Sequence, residues 1–398
     1  MEDRDEAEVV LVNGCTVTAR AQRDSRAACY RARRGRLDPW VVLFGCVVRA
    51  GHGEGSWRDA RTLAVASPEE LWPLLETLSP EPSGPSRPQA ALALGGPRRG
   101  DSRYFLKIQE GCDRGCTYCV VPQARGKPRS VPLEQVLVEA RRAAQAGFTD
   151  VVLTGTHGAL WGRDLVPASS FAALLTGLAA EALPLRYRLG SLEPLEDDQD
   201  EVLAALAPGG SLCPHLHIPL QSGSQTILEA MGRPWGRQRF SALCARARHL
   251  CGPGLTFGTD LIVGFPGETE ALFQETLDFL EASELVFIHT FAFSAREGTK
   301  AAAFPGRVPA REVARRSALV RQLAARKLSA LQHSLVGQVL EVSVDAEGPP
   351  AAGLSDNFLR CRLEAPGPLQ RARWVQARVT GVQNGDLVAQ VLLGGERG

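Results

Sequence analysis

A chain of 398 residues is long enough for two to four folded units, which excludes a single small module. Apolar residues make up 44% and charged ones 22%, the ordinary globular range, and no run of 18 apolar residues marks a membrane span. Net charge is +1, so a nucleic-acid partner would have to be met by a local basic patch rather than by the overall field.

The opening Met1 to Glu6 lacks the basic and apolar regions of a secretory signal, so the chain is expected in the cytoplasm with its ten cysteines reduced. Glu8 to Val12 reads as a strand, Ala21 to Arg34 as a basic helix and Val41 to Phe44 as a second strand. A cysteine, Cys15 and then Cys46, follows shortly after each strand. The proline-rich stretch at 79–101 reads as a linker that ends a first domain at 1–78.

Strand-like runs then alternate with helical ones: Tyr104 to Gln109, Asp150 to Thr154, Leu185 to Leu189, His215 to Leu220, Leu255 to Val263 and Leu285 to Phe293. Leu133 to Ala146 and Glu268 to Ala282 have helical spacing. The class is α/β: a partial (β/α)6 barrel over 102–310, with its active face at the strands' carboxyl ends, or an open doubly wound sheet. Arg311 to Gln332 reads as a helix, within a connecting segment 311–334, whose cations are either a solvated face or an RNA-facing one. From 335 to 398 the period changes to strands, Val339 to Val344, Phe358 to Leu363, Val375 to Val382 and Leu387 to Leu393, with Asn384-Gly385 as a turn. A small carboxyl-terminal β-barrel is expected there.

The strongest chemical signal is Cys112, Cys116 and Cys119, spaced C-x-x-x-C-x-x-C directly after the first of the six strands. Three thiolates hold three irons of a 4Fe-4S cluster and leave the fourth open to a non-protein ligand. A redox pair of Cys116 and Cys119 leaves Cys112 unexplained, and a zinc site lacks a fourth ligand nearby. Cys29, Cys213, Cys244, Cys251 and Cys361 stand apart from this pattern and read as packing residues.

The segment Lys107 to Arg129, KIQEGCDRGCTYCVVPQARGKPR, closely resembles the radical S-adenosylmethionine (SAM) enzymes called methylthiotransferases. DVVLTG ending at Gly155, RLGSLEP at 188–194, HLHIPLQSG at 215–223 and DLIVGFPGE at 260–268 match that family in order and spacing. The resemblance implies a 4Fe-4S cluster on Cys112, Cys116 and Cys119 whose open iron binds SAM, with reduction giving a 5'-deoxyadenosyl radical. It also implies SAM contacts from Tyr118, Gly155, Ser191, Glu193, Gln221, Gly264 and Glu268. The family carries a second 4Fe-4S cluster on three amino-terminal cysteines; VNGCTVT matches the second with Cys15 and FGC the third with Cys46, while no residue of this sequence matches the first. The first domain is therefore expected to be an incomplete version of the family's. Residues 335–398 resemble the TRAM domain, an RNA-gripping barrel, with Asn357 and Arg360 placed nearest RNA and Arg125, Lys127 and Arg129 set against tRNA phosphates.

Within the family, CTVT at Cys15 to Thr18, the helix carrying Arg23, Ser25 and Arg26, and Thr156-His157-Gly158 look most like the type acting on threonylcarbamoyladenosine in tRNA. Isopentenyladenosine in tRNA and an aspartate of a ribosomal protein are the other two substrate classes, and an RNA-binding protein without full sulfur insertion is the reading outside them. The resemblance implies two SAM molecules per turnover, one methylating cluster-associated sulfur and one abstracting hydrogen from carbon two of the adenine. It further implies tRNA, an electron donor such as flavodoxin or ferredoxin, and a sulfur donor as partners, with no membrane.

Overall fold

A computed structural model describes residues 7–34, 38–52, 59–78, 95–96, 102–194, 198–348 and 351–397. The chain divides into two compact units: Met1–Leu92 with Gly111–Lys127 and Ser294–Phe304, and Ala93–Glu110 with Pro128–Phe293 and Pro305–Gly398.

The first unit holds β1 (Val9–Asn13), α1 (Ala19–Ala32), β2 (Trp40–Phe44), β3 (Thr62–Val65) and α2 (Pro68–Leu78). Its sheet is parallel in the order β1-β2-β3. Alternation along β2 explains the packing: Val41 and Leu43 join Val12 and Cys29 on one face, while Val42 joins Val65 and Leu71 on the other. Thr18 starts α1 by accepting the Ala21 N–H at 3.1 Å. β3 and α2 had no counterpart in the sequence reading, because β3 is only four residues long and Pro73 interrupts the helical pattern of α2. The stretch read as a linker lies outside the described residues, apart from β4 (Gly95–Gly96), which pairs antiparallel with the next strand.

That strand, β5 (Tyr104–Glu110), opens the second unit's main sheet, and the 111–127 segment after it carries the short helix α3 (Val121–Arg125) of the first unit. The second unit continues with β6 (Arg129–Ser130), α4 (Leu133–Gln145), β7 (Asp150–Gly155), α5 (Phe171–Ala180), β8 (Arg186–Leu189), α6 (Gln199–Ala205), β9 (His215–His217), α7 (Gln225–Ala230), α8 (Arg237–Cys251), β10 (Thr256–Val263), α9 (Glu270–Ala282) and β11 (Leu285–Ala292). β5-β7-β8 and β9-β10-β11 are parallel and follow chain order, as in an incomplete barrel; a doubly wound sheet would reverse its order. β9 stops at His217, short of the expected Leu220, since Pro219 has no N–H for the ladder.

Helix α10 (Ala310–Ser334) leads to β12 (Val339–Ala346), β13 (Ala351–Ser355), β14 (Arg360–Glu364), β15 (Trp374–Gln383) and β16 (Asp386–Arg397), which close a five-stranded barrel in the order β12-β13-β14-β16-β15. Asn384 and Gly385, both at positive φ (55° and 83°), make the tight turn between β15 and β16. β14 begins at Arg360, two residues later than the sequence suggested. Residues 356–358 form a turn instead, with Phe358 at φ 69° and its N–H on the Ser355 carbonyl.

That turn plugs the amino ends of the parallel strands. Arg188 and Asp150, both 0% exposed, pair at 3.0 Å, and Arg188 also donates to the Ser355 carbonyl at 2.9 Å. Trp374 donates to the Thr149 carbonyl, Thr256 to the Asn357 carbonyl, and Arg186 pairs with Glu341. Phe358 stacks on His215 with ring centroids 4.1 Å apart. Burial, then the neighbouring His217, Arg188 and His289, push the His215 ring well below its usual titration range. The native ring resists a proton that the unfolded ring accepts below about pH 6.5, so stability is flat above that value and falls below it, by at most about 1.4 kcal/mol per pH unit for this group. The thermal midpoint should therefore drop on acidification below about pH 6.5, and drop less in His215→Phe. An equal drop in both proteins would assign the acid sensitivity elsewhere.

Candidate functional site

In the first unit the register Asn13↔Phe44 pairs the last residues of β1 and β2, and each strand is followed by glycine and then cysteine. Cys15 and Cys46 are thereby delivered to the same end of adjacent strands. The Gly14 N–H donates to the Phe44 carbonyl at 2.7 Å, and Gly45 takes φ 94°, where an added Cβ would lie 2.3 Å from the Asn13 Oδ1. Ser25 accepts the Cys15 N–H at 3.0 Å. The Cys46 sulfur receives the Arg125 Nε–H at 3.3 Å. Arg296, 4% exposed, donates from Nη2 to the Thr16 hydroxyl at 2.6 Å and to Gln22 Oε1 at 2.7 Å.

The same unit holds the loop with Cys112, Cys116 and Cys119. It is closed at its base by the Cys112 N–H on the Gly126 carbonyl at 3.0 Å, and Gly111 at φ 82° admits the Lys127 carbonyl where a Cβ would be 2.0 Å away. Inside it, Cys119 N–H donates to the Cys116 carbonyl at 3.1 Å and the Arg114 N–H points at the Cys112 sulfur, 3.4 Å away. The Ala301 N–H on the Thr117 carbonyl, 2.9 Å, braces it from the 294–304 segment.

Burial separates the ten cysteines into two sets. Cys29, Cys213, Cys244, Cys251 and Cys361 are buried, and burial pushes the Cys213, Cys244 and Cys361 thiols up to about 12, as expected of packing residues. Cys15, Cys46, Cys112, Cys116 and Cys119 are all half-exposed. Among the described residues no three His, Cys, Asp or Glu side chains converge on one ion. A cluster asks for something different, since each thiolate takes its own iron, and three accessible sulfurs in one backbone-braced loop fit that donor set.

In the second unit the carboxyl strand ends are shaped by backbone. Gly155 ends β7 opposite Gln109, and Gly190, after β8, gives its N–H to the Leu153 carbonyl. Gln221 sits at φ 76°, a strained position for a residue with a side chain, held by bonds to the Asp260 carbonyl and from the Ile262 N–H. Gly264, at φ 80°, leaves room for Val313. Ser191 is exposed. Glu193 and Glu268, expected as SAM contacts, both have partners within the protein, Glu193 half-buried and Glu268 buried. Glu193 accepts from Arg233 and Trp235, and Glu268 accepts the Gly264 N–H at 2.8 Å and pairs with Arg316 at 2.9 Å.

A cavity of about 580 Å³, within the usual range for a ligand pocket, is lined by Ser191, His215, His217, Asp260, His289 and Arg360 among others. His217 Nε2 lies 3.2 Å from Asp260 Oδ1, and the His217 and His289 rings are 5.4 Å apart. The sequence reading singled out the HLHIPLQSG and DLIVGFPGE stretches but not these imidazoles, since only alternation along β9 and β11 turns them to one side. A larger cavity of about 760 Å³ lies at the amino ends of the strands, where its acidic residues Glu341 and Asp356 already face Arg186.

Residues 106–280 match the Radical SAM superfamily. A threonylcarbamoyladenosine tRNA methylthiotransferase, MtaB, from Aquifex aeolicus is 34% identical over 379 residues, covering 90% of this chain and 88% of the relative. The chain belongs to the radical SAM methylthiotransferase family. The tRNA-2-methylthio-N(6)-dimethylallyladenosine synthase of Bacillus subtilis is 33% identical over 74% of this chain and 59% of its own. The solved TsrM methyltransferase of Kitasatospora setae shares the fold at TM-score 0.52 and 16% identity, over 73% of this chain and 63% of that one. This methylthiotransferase is thus an enzyme with radical SAM chemistry for tRNA-related substrates, and its domain implies a 4Fe-4S cluster and SAM. No helix among the described residues is long and apolar enough to cross a membrane.

The residues of the methylthiotransferase expected to meet RNA divide on burial. Lys127, Arg129 and Arg360 are exposed. Asn357, 4% exposed, is turned inward, its Oδ1 accepting from Ser355, so it shapes the turn and does not present itself to RNA. Arg125 faces the Cys46 sulfur. On α10 the cations are largely used within the unit: Arg315 and Arg316 pair with Glu270, Arg326 with Glu281, and Lys327 donates to the Glu281 and Ser283 carbonyls.

Proposed function

We propose that this enzyme places a methylthio group on carbon two of N-threonylcarbamoyladenosine, next to the anticodon of tRNA. The observation that carries the reading is the near end-to-end likeness to the Aquifex aeolicus protein of that name, together with the CTVT sequence at Cys15. Cys112, Cys116 and Cys119 would hold the cluster, Gly155, Ser191, Gln221, Gly264 and Tyr118 would contribute to SAM binding, and Cys15 and Cys46 would serve a second cluster. Cluster and SAM supply, when bound, a one-electron route to hydrogen-atom abstraction, which a carbon-hydrogen bond of such low acidity needs. The protein's own part is to position the base, keep water out and hold sulfur near it. Because a hydrogen atom and not a proton is moved, His217 and His289 recognise a ligand in the cavity and do not act as acid or base. The carboxyl-terminal barrel, as a TRAM-like module, would grip tRNA through Arg360, with Lys127 and Arg129 on phosphates. An electron donor of the flavodoxin or ferredoxin kind and a sulfur donor would complete the reaction in the cytoplasm.

The isopentenyl class is the second reading, favoured by the 33% identity to the Bacillus subtilis enzyme. Nucleoside mass spectrometry of tRNA from cells lacking the gene separates the two. The methylthio mark should vanish from threonylcarbamoyladenosine and persist on isopentenyladenosine; the reverse pattern moves the enzyme to the second class.

A further inference from the structure

Arg296 is a cation buried without an anion. Its two acceptors, the Thr16 hydroxyl and Gln22 Oε1, are neutral, its Nε has no acceptor, and among the described residues no carboxylate pairs with it. Burying a guanidinium on neutral partners costs several kcal/mol, so folds keep such a group where an anion is to be met. Thr16 directly follows Cys15. Across the adjacent strand, Arg125 already directs its Nε–H at the Cys46 sulfur. Two guanidinium groups therefore attend the two cysteines that β1 and β2 bring to one sheet end.

We propose that Arg296 and Arg125 form a cradle for an anionic sulfur group at Cys15 and Cys46, of the hydrosulfide class. The proposal rests on the reading of Cys15 and Cys46 as the sulfur-handling pair. A guanidinium suits the task because it stays charged at any working pH and presents several donors in one plane, so it can hold sulfur from the side while the cysteines ligate. RNA phosphate is a poor alternative occupant for Arg296, which is 4% exposed. The two arginines are positioning residues: they orient and retain sulfur and touch no reacting carbon.

The test is anaerobic calorimetry on the full, reconstituted chain, with sodium hydrosulfide as the probe, accompanied by iron analysis and circular dichroism. Arg296→Met and Arg125→Met should each bind hydrosulfide about tenfold more weakly or worse, the loss of one hydrogen bond to a charged group, while Arg296→Lys recovers part of the affinity. Arg125 is half-buried, so its variant stays informative even if Arg296→Met folds poorly. Wild-type affinity in both Met variants, with Cys15→Ala weakened, overturns the cradle and leaves the cysteine reading intact. Unchanged iron and unchanged hydrosulfide affinity in Cys15→Ala and Cys46→Ala would instead remove the reading on which the cradle stands.

Discussion

Replacing Cys112, Cys116 or Cys119 by Ala is expected to reduce 5'-deoxyadenosine formation to background and to remove about four irons from the reconstituted protein. The expectation follows from the loop and not from the motif alone. Its backbone is closed at Gly126 and braced at Thr117, so the three sulfurs are presented from a fixed frame. Losing one thiolate leaves an iron open to water and oxidation, and the remaining two cannot hold the cluster in the geometry that leaves a single open site. Cys213→Ala supplies the contrast: this thiol is fully buried, so the change should cost about 1 kcal/mol of packing and no iron. Iron analysis and quantification of 5'-deoxyadenosine under reducing, anaerobic conditions read both. Full 5'-deoxyadenosine formation in any of the three variants would contradict the assignment.

The second large effect is on stability. Asp150→Ala removes the carboxylate that hydrogen-bonds the Arg188 guanidinium at the joint between the parallel strands and the carboxyl-terminal barrel, leaving it on carbonyls and the rings of Phe358 and Trp374, with Asp356 farther off. Removing one partner of a buried pair costs about 3 to 5 kcal/mol, because the other charge stays out of water uncompensated. Replacing both, as Asp150→Leu with Arg188→Met, should cost much less than the sum of the two single changes, and denaturant unfolding of all four proteins measures that coupling. Additive losses would show that the pair is not the fastening. The same joint bears on RNA binding: cutting the chain after Ser334 would bare Arg188, Thr149 and Thr256, so changes at exposed Arg360 are the cleaner probe of a tRNA contact.

Periodicity made the parallel strands and long helices legible, because β5, β7, β10 and β11 are runs of apolar and β-branched residues and α4 and α9 repeat at helical spacing. β13 escaped because Ala351, Ala352 and Gly353 have little strand preference; only pairing with β12 and β14 makes them a strand. At the site, cysteine spacing was readable since ligands of one cluster sit in one loop. Tertiary partners were not. That Arg316 belongs to Glu268 and that Arg125 turns to Cys46 depend on contacts between residues 48 and 79 apart, each set by packing rather than by local pattern. The imidazole-lined cavity was invisible for the same reason, as it draws on five parallel strands and on three later segments, around Gln332, Arg360 and Gly385.

The measurement that bears most directly on the central claim, a radical SAM methylthiotransferase acting on tRNA, is a single anaerobic reaction of the reconstituted chain with SAM, a reductant and tRNA lacking the methylthio mark. Mass spectrometry then counts methylthio nucleoside and 5'-deoxyadenosine in the same sample. The account predicts that both form and that neither forms with Cys116→Ala; methylthio nucleoside arising from the Cys116→Ala protein, or 5'-deoxyadenosine accumulating from the wild type with no methylthio product on any tRNA adenosine, would contradict it.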